Sequence, residues 1–307
     1  MQSLLRRPML ALAERETIER VVRQSRLARG LVRRFVAGDT LDDALMVARQ
    51  IAAMKMTTTL DLLGENVVTV EAARSAATAY ADILRRMAAD GLEPNISVKL
   101  TMLGLDLGES VTMETVASLL AAAREVRGFV RIDMEGSPYT ARTLDIAERL
   151  HDRDPDQVGA VIQSYLFRSP DDVERLIARG MRVRLVKGAY AEPASIAYQG
   201  SDAVDAAYRR LMERLLDAGT YPAIATHDPS IIRVAQGYAR RMGISPDRFE
   251  FQMLYGVRRD EQAALTEAGY RVRVYIPYGT EWYPYFARRI AERPANALFV
   301  LRQLVRG

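Results

Sequence analysis

The stretch AVIQSYLFRSPDDVERLIARGMRVRLVKG, residues 160–188, holds one repeat of the plan on which this chain is built. The apolar run AVIQSY (160–165) has the length of a buried strand. Ser169-Pro170-Asp171-Asp172 then has the form of a helix start, with a capping hydroxyl, a proline at the first helical position and an acid at the third. Gly180 sits where a helix wants a left-handed C-cap. A second apolar run, VRLVKG (183–188), follows at once. Strand, helix and strand in so short a span make the unit of a parallel sheet.

The unit recurs in both directions. TTTLDLL (57–63), NISVKL (95–100) and FVRIDM (129–134) precede it, and PAIATH (222–227), EFQML (250–254) and VRVYIP (272–277) follow. Helical patterns separate the runs. Gly91, Gly128, Gly219 and Gly269 stand where Gly180 does, and Asp228-Pro229 repeats the cap and proline. Eight strand-like runs that read as apolar on both sides predict an α/β fold, a closed (β/α)8 TIM barrel. The rival is an open doubly wound sheet. Its G-x-G-x-x-G phosphate fingerprint is absent.

Helices are expected before the first strand. Ile18, Val21, Val22, Leu31, Val32 and Phe35 recur at three- and four-residue steps over Glu14 to Phe35, and Gly38 follows as a stop. Thr40, with Asp43 three residues on, caps a second helix from Leu41 to about Ala53. The expected division is an N-terminal helical segment, residues 1–55, and a catalytic barrel, residues 56–307.

Composition narrows the chemistry. With 307 residues, 49% hydrophobic and 27% charged, the chain has the make-up of a soluble globular protein. It has no cysteine, which excludes disulfides, thiolate catalysis and cysteine-ligated metals, and fits a reducing, cytoplasmic compartment. Its two histidines, His151 and His227, exclude a multi-histidine metal site, and no metal is expected. No apolar run approaches the roughly 18 residues of a membrane span. Arg6, Arg7 and Pro8 lead into a charged amphipathic segment, so no signal peptide is expected. Residues 1–50 hold 10 Lys and Arg against 6 Asp and Glu, which is the whole net charge of +4. Without a basic stripe interleaved with aromatics, nucleic acid is not an expected partner. The basic N-terminal helix could touch an anionic membrane surface, or it is a solvated helix face.

In a barrel, polar residues at the C-terminal ends of strands face the active-site mouth. Here these are Lys99, Asp133, Glu135, Gln163, Arg184, Lys187, Thr226, His227, Gln252 and Tyr275. Each alone has a structural explanation, such as a satisfied core lysine or loop packing. Their recurrence at one end of the strands points to a site, because each costs several kcal/mol if buried unpaired. Arg184 and Lys187 have opposite parity, so the strand is expected to end by Lys187. Gly188 would let the backbone approach something flat or anionic. The last run leads into YIPYGTEWYPYFARRIAER (275–293). Tyr285, Arg288, Arg289 and Glu292 lie at three- and four-residue spacing on a helix, the arginines as forks for a carboxylate beside aromatic rings. A solvated helix face with structural ion pairs is the other reading.

At these residues the chain resembles the proline dehydrogenase family, in its single-function bacterial form without the aldehyde dehydrogenase module of the fused members. The resemblance runs through DLLGE (61–65), SVKL (97–100), ID (132–133), IQSY (162–165), RLVKGAY (184–190), ATHD (225–228), FQML (251–254), YIPYGT (275–280) and YFARRIAER (285–293), the last with the family's Tyr-x-x-Arg-Arg-x-x-Glu motif. It implies a distorted barrel preceded by N-terminal helices, with the last helix over the mouth and FAD held non-covalently. It implies that Arg288, Arg289 and Lys99 bind the carboxylate of L-proline, and that Leu185, Ala189, Leu254, Tyr275 and Tyr285 wall its ring. Tyr275 would crowd out a ring hydroxyl. Arg184 would lie beside flavin N5, with Met134, Gln163, Lys187, Gly188, Ala189, Thr226, His227 and Glu292 completing the cofactor site. Asp133 would organise Arg289 and tyrosine hydroxyls. The implied reaction is hydride transfer from proline C5 to flavin N5, giving Δ1-pyrroline-5-carboxylate. Electrons would pass to a membrane quinone through peripheral contact with the inner face of the cell membrane. A separate pyrroline-5-carboxylate dehydrogenase would take the product. Asp228 and Ala191 depart from the family's usual Asn and aromatic, on the adenosine side. Two other functions fit a barrel: a Schiff-base aldolase using Lys99 or Lys187, and a non-catalytic scaffold.

Overall fold

The computed structural model describes residues 30, 32–64 and 66–291, with side chains through Ala287. Eight parallel strands close into a barrel in sequence order: β1 Thr57–Leu62, β2 Asn95–Val98, β3 Phe129–Ile132, β4 Val158–Gln163, β5 Arg182–Val186, β6 Ala223–Ala225, β7 Glu250–Leu254 and β8 Arg271–Tyr278. β1 pairs with β8 over six positions, from Thr57 opposite Arg273 to Leu62 opposite Tyr278. The helices are α1 Leu41–Ala53, α2 Val70–Ala89, α3 Glu109–Glu125, α4 Ser137–His151, α5 Ser169–Ala178, α6 Ser201–Ala218, α7 Pro229–Met242, α8 Arg259–Glu267 and α9 Tyr283–Ala291. None of the helices among the described residues is long and apolar enough to cross a membrane.

The apolar core lies between the strands and the helices, not inside the barrel. Leu60, Val98, Ile132, Val183, Leu185, Ile224, Phe251 and Val274 are fully or nearly fully buried there. The alternate positions of the same strands hold Thr59, Asn95, Arg131, Arg184, Glu250, Gln252 and Arg273, all buried. The expectation of runs apolar on both sides is corrected at this point. One face of each run is apolar, and the other lines an interior far more polar than the branched side chains usual in such barrels. Many of the interior polar groups bond one another. Arg273 is held by Glu250 at 2.9 Å and Glu93 at 2.6 Å and donates to the Thr58 carbonyl at 2.9 Å. Burial pushes Glu250 up, but Arg273 outweighs it and holds this acid below the usual carboxylate range.

Several local expectations meet tertiary corrections. The cap on α1 forms as a full box, with Thr40 and Asp43 bonded reciprocally. Gly91, Gly180 and Gly269 are left-handed, at φ +71°, +69° and +83°. Gly128 is not, and Arg127 takes the left-handed turn at φ +53° instead. A Cβ on Gly128 would come to 3.0 Å from Leu84, so packing explains that glycine. Gly219 is extended, and its Cβ would meet the Leu215 carbonyl at 2.6 Å. Ser169 does not cap α5. Its hydroxyl donates to the Gln163 carbonyl at 2.6 Å, tying the helix start to the end of β4.

α1 packs on both β8 and β1, where the barrel closes. α9, which follows β8, is thereby free to sit at the mouth. Trp282, Tyr283, Tyr285 and Phe286 form a small separate core there with Leu63, Val32 and Val36. The Ala37 amide donates to the Pro277 carbonyl, and the Gly279 amide to the Gly38 carbonyl, both at 2.9 Å. Most of the helix expected over Glu14 to Phe35 lies outside the described residues.

Candidate active site

A cavity of about 610 Å³ opens at the C-terminal end of the strands. Lys99, Asp133, Met134, Gln163, Arg184, Lys187, Gly188, Ala189, Thr226, His227, Leu254, Tyr275 and Tyr285 all line it. Of the ten residues expected from strand ends, nine line it, Gln252 among them; Glu135 does not, and instead accepts from the Thr101 amide at 3.2 Å and hydroxyl at 2.7 Å. The side chains of Arg288 and Arg289, and Glu292 altogether, lie outside the described residues. Leu185 is the exception among the described residues that the resemblance implied. It alternates with Arg184 and Val186, so it faces the outer core and is fully buried there.

Arg184 forms the centre of the cavity floor, 4% exposed. Its Nε donates to Gln252 Oε1, and Nη1 donates to Ser97 Oγ at 3.0 Å and to Asp133 Oδ1 at 2.7 Å. Its Nη2 is buried with no hydrogen-bond partner. The guanidinium lies 5.2 Å from the centre of the Tyr275 ring. The Tyr275 hydroxyl donates to Asp133 Oδ2 at 2.9 Å. Burial, with the charges of Asp133 and Asp61 behind it, holds the Tyr275 phenol well above its ordinary value, so it stays a donor. Ser97 and Gln252 thus position Arg184, and Asp133 ties the arginine to the tyrosine.

Two loop junctions are braced from within the site. Gln163 spans between backbones, its amide donating to the Glu135 carbonyl at 3.0 Å and its carbonyl accepting from the Ala189 amide at 3.2 Å. The Leu254 amide donates to His227 Nε2 at 2.8 Å, which fixes the neutral tautomer with its proton on Nδ1. Lys187 lies just past the end of β5, as parity requires, and pairs with Asp205 at 2.5 Å and Asp228 at 3.1 Å. Asp228 caps α7, accepting from the Ser230 amide at 2.9 Å and hydroxyl at 2.8 Å. Burial raises this acid, but the Ser230 and Lys187 bonds prevail and hold it below the usual range. Gly188 serves packing inside the protein: a Cβ would lie 2.4 Å from the Tyr165 ring.

Sequence reasoning passed over Asp61. It ends β1 at 1% exposure, lines the cavity and lies 3.8 Å from Lys99 Nζ. Burial raises its pKa from the ordinary value, with Lys99 opposing and Asp133 adding to the rise. A carboxylate inside the apolar run TTTLDLL was the available signal.

A polar floor, a preset arginine with Nη2 open and apolar walls of Met134, Val161, Val186 and Leu254 suit a flat, partly anionic guest. The family model described as proline dehydrogenase matches residues 44–302. The chain belongs to the proline dehydrogenase family. It is 40% identical over 308 residues to the proline dehydrogenase of Deinococcus radiodurans, covering 99% of both chains. It is 37% identical to proline dehydrogenase 1 of Bacillus subtilis strain 168, covering 99% of this chain and all of that one. Among solved structures, proline utilization A from Bdellovibrio bacteriovorus, inactivated by N-propargylglycine, superposes with a TM-score of 0.81 at 25% identity. That match covers 94% of this chain and 36% of the larger one.

Proposed function

We propose that this chain oxidises L-proline to Δ1-pyrroline-5-carboxylate with FAD as its bound cofactor, a hydride passing from proline C5 to flavin N5 and the electrons leaving to a membrane quinone. The observation that carries this reading is Arg184. It is a buried cation with three of its five N–H donors committed to Ser97, Asp133 and Gln252, and the two on Nη2 are left without an acceptor in a cavity lined by Tyr275 and Lys99. Buried donors are almost always satisfied, so an acceptor from a bound group is called for. A flavin offers acceptors along one edge of a flat ring, which fits.

The flavin, when bound, supplies a two-electron acceptor. The residues supply the rest. Arg184 would donate to the ring edge and stabilise the negative charge of the reduced state. Met134 and Gln163 would border the ring, and Lys187, Gly188, Ala189, Thr226 and His227 would carry the remainder, with the capped start of α7 nearby. Lys99 would meet the substrate carboxylate from the floor. Arg288 and Arg289, one turn beyond Tyr285 on α9, would grip it from above. Tyr275, Tyr285 and Leu254 would close on the pyrrolidine ring. Fixing one anion with three cations sets the distance from substrate C5 to the acceptor, which is where most of the rate gain of such a site arises.

The aldolase reading gains no support. Lys187 is ion-paired with two carboxylates and Lys99 with another, so neither amine is presented to a carbonyl as a Schiff-base nucleophile must be. The deciding experiment is an absorption spectrum of the purified protein before and after anaerobic L-proline. A flavin spectrum that bleaches is expected. A flavin spectrum untouched by proline would reject the substrate, and a colourless protein that takes up no FAD would reject the reading altogether.

A further inference from the structure

We propose that Asp61 accepts the proton that the substrate amine must lose before its hydride can leave. This rests on the function proposed above. Two carboxylates reach the cavity floor, Asp61 from β1 and Asp133 from β3. Asp133 has a partner on each oxygen, Oδ1 with Arg184 at 2.7 Å and Oδ2 with Tyr275 at 2.9 Å. Asp61 does not. Its Oδ1 is buried without a hydrogen-bond partner, and Lys99 Nζ, at 3.8 Å, is an ionic neighbour beyond hydrogen-bond reach. A buried carboxylate oxygen with an open lone pair is costly, and an ammonium group held by Lys99's side of the cavity is a donor of the right sign.

The chemistry requires such an acceptor. Proline arrives at neutral pH as a secondary ammonium, which has no lone pair to offer. In the first step a substrate N–H bond breaks and an O–H bond forms at Asp61 Oδ1. The freed lone pair then becomes the C=N π bond as the C5–H bond breaks and the hydride carries its electron pair to the flavin oxidant, leaving the protonated imine. Asp61 returns its proton to water as product leaves. The groups facing Asp61 are Lys99 from β2, Asp133 from β3, Arg184 from β5, Tyr275 and Tyr278 from β8 and Tyr80 from α2. Of these, Lys99 and Arg184 are cations, Asp133 has both oxygens partnered, and burial pushes the three phenols above their ordinary value. Between the two carboxylates, Asp61 Oδ1 is the buried oxygen that has no partner.

The test is Asp61→Asn, which keeps the shape and removes the proton acceptor. Flavin content, affinity for cyclopentanecarboxylate (ring and carboxylate without nitrogen) and the rate of flavin reduction by L-proline would be measured from neutral to alkaline pH. The expected variant holds flavin, binds cyclopentanecarboxylate like the parent, and is reduced about 10²-fold more slowly at neutral pH. Its rate recovers in alkali, where the amine arrives already neutral. A neutral-pH rate close to the parent's overturns the proposal. So does a slow rate with no alkaline recovery, or a parallel loss of cyclopentanecarboxylate affinity, since either would make Asp61 a mere support for Lys99. If Asp61→Asn fails to hold flavin, Asp61→Glu carries the test: flavin retained and no new alkaline dependence support the role, and an alkali-dependent or flavin-free variant overturns it. Failure of proline to bleach the parent protein would instead reject the function above.

Discussion

Tyr275 does two things at once. Its hydroxyl holds Asp133, and its ring lies against the Arg184 guanidinium at the cavity floor. Replacing it with serine opens space where a ring hydroxyl would fall. Tyr275→Ser is expected to raise the ratio of hydroxyproline to proline kcat/KM by about tenfold, the order of discrimination that one shaped pocket wall provides. An unchanged ratio would mean that Tyr275 does not select the substrate. Arg184→Lys keeps the charge but replaces a four-way fork with a single ammonium. It cannot reach Ser97, Asp133, Gln252 and a cofactor together. Flavin affinity should fall at least about tenfold, in line with losing a charge-assisted hydrogen bond worth about 1.5–3 kcal/mol. Equilibrium titration with FAD checks this, and an unaltered affinity would remove Arg184 from the cofactor site. At this scale the sequence is informative about residue type and mute about partners. Lys99, Asp133, Arg184 and Tyr275 are legible because a charged or polar group at a strand end needs a reason. Leu185 is misread because a motif carries residues of both parities, and only one parity faces the cavity.

Elements whose stops and starts are local chemistry form as read. The Thr40–Asp43 box and the Asp228-Pro229 cap depend on atoms within three residues of each other, so nothing distant can reverse them. Ser169 lost its capping role because β4 presents a carbonyl to it, and Gly128 lost its turn to Arg127 because Leu84 presses on it. The segment leading into α1 is held by the loop after β7. Gly256, at φ +75°, passes so close to the Arg34 carbonyl that a Cβ would come to 1.6 Å. Gly256→Ala is therefore expected to cost about 1–3 kcal/mol of stability through forced separation of these backbones. Chemical denaturation would show it, and a midpoint equal to the parent's would mean that the two segments part without cost.

Across the whole molecule, the barrel interior is a polar column. Arg184 leads to Gln252, Gln252 to Glu250, Glu250 to Arg273 and Arg273 to Glu93 at the opposite end. Such a column contributes little net stability over an apolar filling, but removing one member leaves a buried charge alone. Glu250→Gln should destabilise the protein by roughly 3–5 kcal/mol at neutral pH. Because Glu250 titrates below its ordinary value of 4.5 in the folded state, its contribution is present above that pH and is lost as acid protonates it. The parent should lose stability as pH falls below 4.5, with a steeper slope than Glu250→Gln. Parallel slopes in thermal melts across that range would show that Glu250 does not govern acid unfolding.

What the sequence determines by itself is the repeat of strand and helix, the caps, and the placement of polar residues at strand ends. Each follows from interactions within a few residues and from period-two and period-3.6 patterning. What only the tertiary structure decides is which face of each strand turns inward and which groups meet there. Arg184 finds Asp133 from 51 residues away, Gln252 from 68 and Ser97 from 87. Asp61 Oδ1 is left without a partner at a place where the strands on either side supply Lys99 and Tyr275, whose hydroxyl is bonded to Asp133. Those meetings exist only once the eighth strand has paired with the first, since no local signal carries the register of a ring that closes on itself.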